Sequence, residues 1–266
     1  MAILNMKMRS FQVGTLKVEI YPNSKIAGEA AAQAAAQALN HLDRHRDSIG
    51  VIFATGASQL DTLRALTAMS SLPWNKVLGF HLDEYLGISA DHSASFRRYL
   101  RENLTQKVMM KKFFEIDATV PDPERMCRYY TENLQLADPQ ICLLGIGENG
   151  HLAFNDPAEA NFDDPMDMKT VNLDNACRQQ QAAEGWFKSF EDVPERAITL
   201  TIPALFRVPK LILSAPGNRK ARILRRTLEE PISTDCPATV LRTHPDATAY
   251  LDWESATELD GIMQTI

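Results

Sequence analysis

Cysteine is scarce in this chain: four among 266 residues, at Cys127, Cys142, Cys177 and Cys236, with no Cys-x-x-Cys spacing. Without a secretory context, that pattern points to reduced thiols and a cytoplasmic setting. No apolar run is long enough to span a membrane. The opening residues, MAILNMKMRS, lack the apolar core and small-residue cleavage site of a signal peptide. No membrane partner is expected. Positive charge is also short, since 28 Lys and Arg stand against 34 Asp and Glu for a formal charge of −6. That balance argues against general nucleic-acid binding, and an anionic ligand would need a local positive field. No Pro/Gly/Ser-rich linker, internal repeat or low-complexity block divides the chain, so residues 1–266 are expected to form one large domain.

What the chain does have is an alternation of apolar runs and helical patterns. Leu16 to Ile20 alternates like a half-buried strand. The alanine-rich Ala27 to Leu42 reads as a strong helix. Further strands are expected at Ile49 to Ala54, Val77 to Phe80, Ile141 to Leu144, Ala197 to Ile202, Lys210 to Leu213 and Ala249 to Leu251. Helices are expected after Leu60, around Phe96, Tyr99 and Leu100, over Glu124 to Leu136, from Cys177 through Trp186 and Phe187, and around Leu224 and Leu228. Such alternation predicts a mostly parallel sheet covered by helices on both faces. Ala158 to Thr170 shows no clear period and reads as a surface loop or a lid. Arg97, Arg98 and Arg101 read as a solvated helix face.

Four strand ends carry chemistry-bearing residues, and in open α/β sheets ligands bind beyond such ends. After the run Ile141 to Leu144, a Gly145-Ile146-Gly147 turn presents Glu148, Asn149, His151, Asn155 and Asp156. An imidazole that moves protons near neutral pH benefits from an orienting carboxylate, and both Glu148 and Asp156 are candidates. After the strand at Ile49, Thr55-Gly56-Ala57-Ser58 opens a helix. Free N–H groups there suit a phosphate, although Ser58 and Asp61 also fit a simple capping box. The stretch matches neither the dinucleotide fingerprint nor the Walker loop, so no nucleotide cofactor is expected. Asp83 and Glu84 follow the strand at Val77, and alternation points them to opposite faces, one free for a ligand and the other for structural bonds. The strand at Lys210 runs into Pro216-Gly217-Asn218-Arg219-Lys220, a helix start with two cations.

With these pieces in view, the sequence resembles the glucosamine-6-phosphate deaminase (isomerase) family, which is related to the 6-phosphogluconolactonases. The resemblance runs from about Ile20 to Trp253. Its most specific parts are LDEYLG at Leu82 to Gly87 and GIGENGHLAFNDP at Gly145 to Pro157. It implies a modified Rossmann-like, three-layer α/β fold, a sugar 6-phosphate ligand, no metal or organic cofactor, and a possible homo-oligomer. By that resemblance Asp83 is the base that moves a proton between C1 and C2 of the opened aminosugar. His151 opens the pyranose ring, with Asn149 and Asp156 completing the ring-opening group. Thr55, Gly56, Ala57, Ser58 and Lys220 match phosphate-binding positions, Glu84 belongs to the substrate site, and Arg178 or a neighbour supplies a second cation.

Several positions depart from the family's usual pattern. Asn149 stands where many members have Asp, and Asp156 where most have Glu, which withdraws that carboxylate by one methylene. Ala57 and Gln59 replace the usual glycine and proline of the phosphate loop. The expected activity is conversion of glucosamine 6-phosphate, or a close hexosamine isomer, to a ketose 6-phosphate and ammonia. The alternatives are a 6-phosphogluconolactonase-type hydrolase and a silent sugar-phosphate sensor. Tyr85, where the lactonases usually carry arginine, speaks against the hydrolase. The short stretch before the second element, with no room for a helix-turn-helix, speaks against the sensor.

Overall fold

Short β-branched and aliphatic runs separated by amphipathic segments have one economical solution, a parallel sheet with helical crossovers. The computed structural model describes residues 7–183, 185–259 and 261, without the side chains of residues 176, 177 and 180. The expectations for the first six residues and for the Cys177 thiol therefore lie outside the described residues. In chain order the elements are β1 (Arg9–Val13), β2 (Leu16–Tyr21), α1 (Ser24–Asp43), β3 (Ile49–Phe53), α2 (Leu60–Thr67), β4 (Val77–His81), β5 (Asp83–Tyr85), α3 (Phe96–Leu100), β6 (Lys112–Phe113) and α4 (Pro123–Ala137). They continue with β7 (Pro139–Leu144), β8 (Met168–Asn172), α5 (Asn175–Ala183), β9 (Arg196–Leu200), α6 (Ile202–Phe206), β10 (Lys210–Ser214), α7 (Ala221–Glu229) and β11 (Ala247–Asp252).

Eight strands form the main sheet in the order β1-β2-β11-β10-β7-β3-β4-β6. All neighbours are parallel except β1 against β2. Alternate side chains along β3 divide the core. Ile49, Val51 and Phe53 pack with α1 and α2, whereas Ile52 joins α4 and α7 on the opposite face. The three-layer α/β fold is thus present. Alanines 27, 30, 31, 32, 35 and 36 are buried because α1 lies close to its neighbours. Gly28 marks the tightest approach: a Cβ there would fall 2.6 Å from Cβ of Asp61.

A second sheet, β5-β9-β8, is antiparallel. Its central strand β9 falls on the expected strand at Ala197 to Ile202, whereas β8 and the separation of this sheet from the main one were not expected. The expected strand at Val77 to Phe80 forms as β4, and the chain crosses at Leu82 to the second sheet, where Asp83–Tyr85 form β5. Part of the stretch expected as a loop, Ala158 to Thr170, belongs to β8. Its backbone pairs with β9, and its Met168 reaches the main core beside Ile198 and Leu200. The helix expected to run from Cys177 through Phe187 ends earlier, at Ala183. Arg97 corrects the expected solvated face: it is buried, with Nη1 donating to Asp117 at 3.0 Å and Nη2 to the Ile88 carbonyl at 2.8 Å.

Candidate active site

A cavity of about 500 Å³ lies over the carboxyl ends of the parallel strands. Its walls include the residues that follow β3, β4, β7 and β10, together with Asp252 at the end of β11. This is where the crossover geometry leaves backbone groups and loop side chains free for a ligand.

On one side, β3 ends in a turn whose Gly56 adopts φ of +95°, after which a short 3-10 turn at Ala57–Gln59 leads into α2. The leading N–H groups of such a turn have no partner within the helix. Tyr99 donates its hydroxyl to the Gly56 carbonyl at 2.8 Å and pins the turn. The capping box drawn from Ser58 and Asp61 does not form, because Asp61 pairs with Arg64 at 3.1 Å. The Ser58 hydroxyl borders the cavity instead and accepts from Nε2 of Gln59 at 3.2 Å.

A second turn of the same kind follows β10. Gly217 has φ of +90°, and Asn218–Lys220 winds into α7. Asp252 holds it by accepting from the Gly217 N–H at 2.9 Å while also accepting from Ser255. Both Arg219 and Lys220 line the cavity. Two turns that each open a helix toward the cavity, the second with two cations, therefore meet in a protein of net negative charge, an arrangement that gives an anion a local positive field.

Asp83 and His151 border that same cavity. Asp83 opens β5, and its carboxyl is pushed well above the usual range, first by burial and then by the neighbouring Glu84 charge. Its main chain is fixed from behind by His81. Nε2 of His81 accepts from the Ile116 N–H at 2.8 Å, which leaves Nδ1–H to donate to the Asp83 carbonyl at 3.0 Å. Burial drives the His81 pKa down to about 3, so this imidazole is neutral. Tyr130 donates to the His81 carbonyl at 2.8 Å and accepts from its N–H at 2.7 Å.

His151 is oriented by Asp156 rather than Glu148. Nδ1 of His151 lies 2.9 Å from Oδ1 of Asp156, so the shortened side chain still reaches the ring. Asn149 Nδ2 donates to the same oxygen at 2.9 Å, and Asn149 Oδ1 accepts from the His151 N–H at 3.1 Å. Burial raises the Asp156 carboxyl, but the bonds from His151 and Asn149 outweigh it and hold the group below its ordinary range. Asn149 and Asp156 stand behind the imidazole and do not border the cavity, whereas Glu148 does.

Two expected site residues lie elsewhere. Glu84 is turned away from the cavity, as strand alternation requires, and is fully buried. It accepts from Ser95 Oγ at 2.8 Å and from the N–H groups of Phe96 and Arg97 at 3.1 Å, so it caps the start of α3 and does not border the cavity. Arg178 donates to the Val193 and Phe190 carbonyls at 3.0 and 3.3 Å and lies over the Phe190 ring, committed to its own loop. The cavity wall there comes from Gln181 and Trp186. Asp252 was missed because the apolar run ends one residue before it. Gln59 was missed because nothing in its neighbours marks a glutamine as buried.

A mostly parallel α/β sheet whose strand ends gather two glycine turns, a carboxylate and a histidine around one cavity defines a class of α/β fold, and the comparisons with known proteins give its family. Residues 22–250 match the family of glucosamine-6-phosphate isomerases/6-phosphogluconolactonase. The chain is 35% identical over 216 residues to a glucosamine-6-phosphate deaminase of Exiguobacterium sibiricum, covering 81% of this chain and 83% of the relative. It is 31% identical over 234 residues to one of Thermoanaerobacter pseudethanolicus, covering 86% and 90%. Among solved structures, a monomeric glucosamine-6-phosphate deaminase superposes with a TM-score of 0.82 at 29% identity, covering 91% of this chain and 99% of the other. A 6-phosphogluconolactonase from Thermotoga maritima gives 0.72 at 19% identity over 88% and 98%, a likeness of fold. The chain belongs to the glucosamine-6-phosphate isomerase/6-phosphogluconolactonase family.

Proposed function

We propose that the protein is a glucosamine-6-phosphate deaminase, converting glucosamine 6-phosphate or a close hexosamine isomer, with water, to the ketose 6-phosphate and ammonia. The observation that carries this reading is that Asp83, His151, the Thr55–Ser58 turn and the turn bearing Arg219 and Lys220 border one and the same cavity. The phosphate is held by the N–H groups and hydroxyls of Thr55 to Ser58 and by Lys220, with Arg219 rather than Arg178 as the second cation. This tether leaves the C1 end of the sugar for Asp83 and His151.

In the first step His151 takes the proton from the O1 hydroxyl and returns it to the ring oxygen, breaking the C1–O5 bond and freeing the aldehyde. Asn149 and Asp156 are positioning residues that keep Nε2 turned to the cavity. The aldehyde acidifies C2–H, and the Asp83 carboxylate removes that proton. A carboxyl whose pKa is raised by burial is a stronger base than an exposed one, which suits the task. The same group returns the proton to C1 while a proton of the amine passes to O1, leaving a C1 hydroxyl and an imine at C2. Water adds to that carbon, and the amine departs as ammonia. Cytoplasmic action belongs to the same reading, supported by the free, buried thiols of Cys127, Cys142 and Cys236.

The test measures ammonia release from glucosamine and galactosamine 6-phosphates beside hydrolysis of 6-phosphogluconolactone, with Asp83→Asn as control. Ammonia from an aminosugar phosphate, abolished in the control, is the expected result. Binding without ammonia from either sugar would point to a sensor, and rapid lactone turnover to the hydrolase.

A further inference from the structure

Gln59 lies at the junction of the two halves of the site and is fully buried. Its Nε2 is 3.2 Å from the Ser58 hydroxyl and 3.2 Å from the carbonyl of Leu144, the last residue of β7. A carbonyl can only accept, so the amide must present its NH2 group to this side. Its Oε1 then faces the interior with no hydrogen-bond partner. Buried polar atoms are rarely left so, and an aliphatic side chain would fill the same space without an orphaned oxygen. The glutamine is thus kept for what its NH2 group bridges, the Ser58 hydroxyl and the Leu144 carbonyl, at the cost of one orphaned oxygen.

We propose that Gln59 is a positioning residue: its amide sets the Ser58 hydroxyl as a hydrogen-bond donor to the substrate phosphate and ties that donor to the loop bearing His151. The inference rests on the phosphate reading given above. A serine hydroxyl can donate or accept, but a phosphate dianion offers only acceptors. With one lone pair of Ser58 Oγ engaged by the Gln59 N–H, the hydroxyl hydrogen is left for the cavity. The reversed amide would draw that hydrogen inward and turn a lone pair toward the anion. Gly145, the first residue after β7, lies directly against the pair, since a Cβ there would stand 3.4 Å from both Gln59 Nε2 and Ser58 Oγ. Because Leu144 is followed directly by the turn that leads to His151, one amide fixes the spacing between the anchored end of the sugar and the reacting end.

The experiment titrates inorganic phosphate calorimetrically into the wild-type protein and the Gln59→Leu, Gln59→Glu, Ser58→Ala and Gln59→Leu/Ser58→Ala variants, with KM and kcat for glucosamine 6-phosphate measured alongside. Melting curves confirm that each variant is folded, and Gln59→Met, which keeps the side-chain length, replaces the leucine variant if that one is not. Gln59→Leu is expected to weaken phosphate binding and raise KM about tenfold, the scale of one charge-assisted hydrogen bond, with a smaller change in kcat. Gln59→Glu should do worse, since its carboxylate captures the hydroxyl hydrogen and repels the anion. Placing Gln59→Leu on top of Ser58→Ala should add little, because the donor is already gone. Phosphate affinity of Gln59→Leu within about twofold of wild type, or losses that add in full in the double variant, would overturn the proposal while leaving the phosphate site intact. A wild-type protein that binds no phosphate overturns the phosphate reading and this inference with it.

Discussion

Gly147 and His151 compete for one volume: a Cβ built on Gly147 would overlap Cε1, Nε2 and Nδ1 of the His151 ring. The turn folds back on itself through the Gly147 N–H, which donates to the His151 carbonyl at 3.0 Å, and the imidazole lies flat against the bare Cα. A methyl group at 147 must therefore displace the ring. We expect Gly147→Ala to lower kcat at least about 100-fold, the usual consequence of moving a reacting group by an ångström. Phosphate affinity, measured by calorimetry, should stay near wild type because the two anion loops are untouched.

Asp156 holds its proton-shuttling neighbour by one oxygen, 2.9 Å from Nδ1. In Asp156→Asn an amide NH2 can face Nδ1 and favour the opposite tautomer, as well as removing the charge that stabilises an imidazolium. A kcat loss of about 10²- to 10⁴-fold is expected, the range for disabling one acid–base group, with KM little changed. The stability effect has a definite sign. The folded carboxyl is held below its usual range, so what it contributes is present above the ordinary carboxyl pKa and is lost as pH falls through the folded value. Melting curves of wild type and Asp156→Asn should accordingly converge at low pH.

How much of this could be read from the chain depends on the periodicity each part imposes. The parallel strands carry continuous apolar runs, and the strand ends bearing Thr55, Asp83, His151 and Lys220 follow from them. In the second sheet only β9, expected at Ala197 to Ile202, has such a mark. β5 is three residues long and β8 is mixed in character, so their burial is set by each other rather than by local pattern. Orientation was legible where alternation rules it: Asp83 and Glu84 had to diverge, and they do. What failed was the placement of long side chains. Arg97 and Arg178 both fold back onto carbonyls of their own neighbourhood, a tertiary choice that no spacing encodes. The reach of Asp156 was hidden for the same reason, since a loop can move in by one methylene to keep a hydrogen bond.

Asp83 sets stability against chemistry. Burial and the Glu84 charge raise its carboxyl pKa, so the folded state holds that proton more tightly than the unfolded chain. Stability is then fully kept below the ordinary carboxyl pKa of about 4 and lost as pH rises from there toward the folded value. Asp83→Asn, which carries no charge at any pH, is expected to lose about 10²- to 10⁴-fold in kcat and yet melt at a higher temperature than wild type at pH 8. At pH 4 the two should melt together. Equal melting temperatures at pH 8 would show that the carboxylate costs the fold nothing.

His81 stands behind Asp83, away from the cavity wall, and governs stability on the acid side. Its ring links the Asp83 carbonyl to the Ile116 N–H, two buried groups that would each cost roughly 1–3 kcal/mol if left unpaired. The bridge works only in the neutral ring, because Nε2 must accept. In the unfolded chain the imidazole protonates below about 6.5, whereas in the folded state burial delays this to about 3. Stability is thus present above the unfolded value and lost as pH falls from there to the folded one, at up to about 1.4 kcal/mol per pH unit from this group. His81→Gln, which can keep the bond from Ile116 but has no charge to gain, should be less stable than wild type at pH 7.5 and lose stability more slowly between pH 6.5 and 4. Urea midpoints at a series of pH values check both halves, and parallel slopes for the two proteins would place the acid sensitivity in another group.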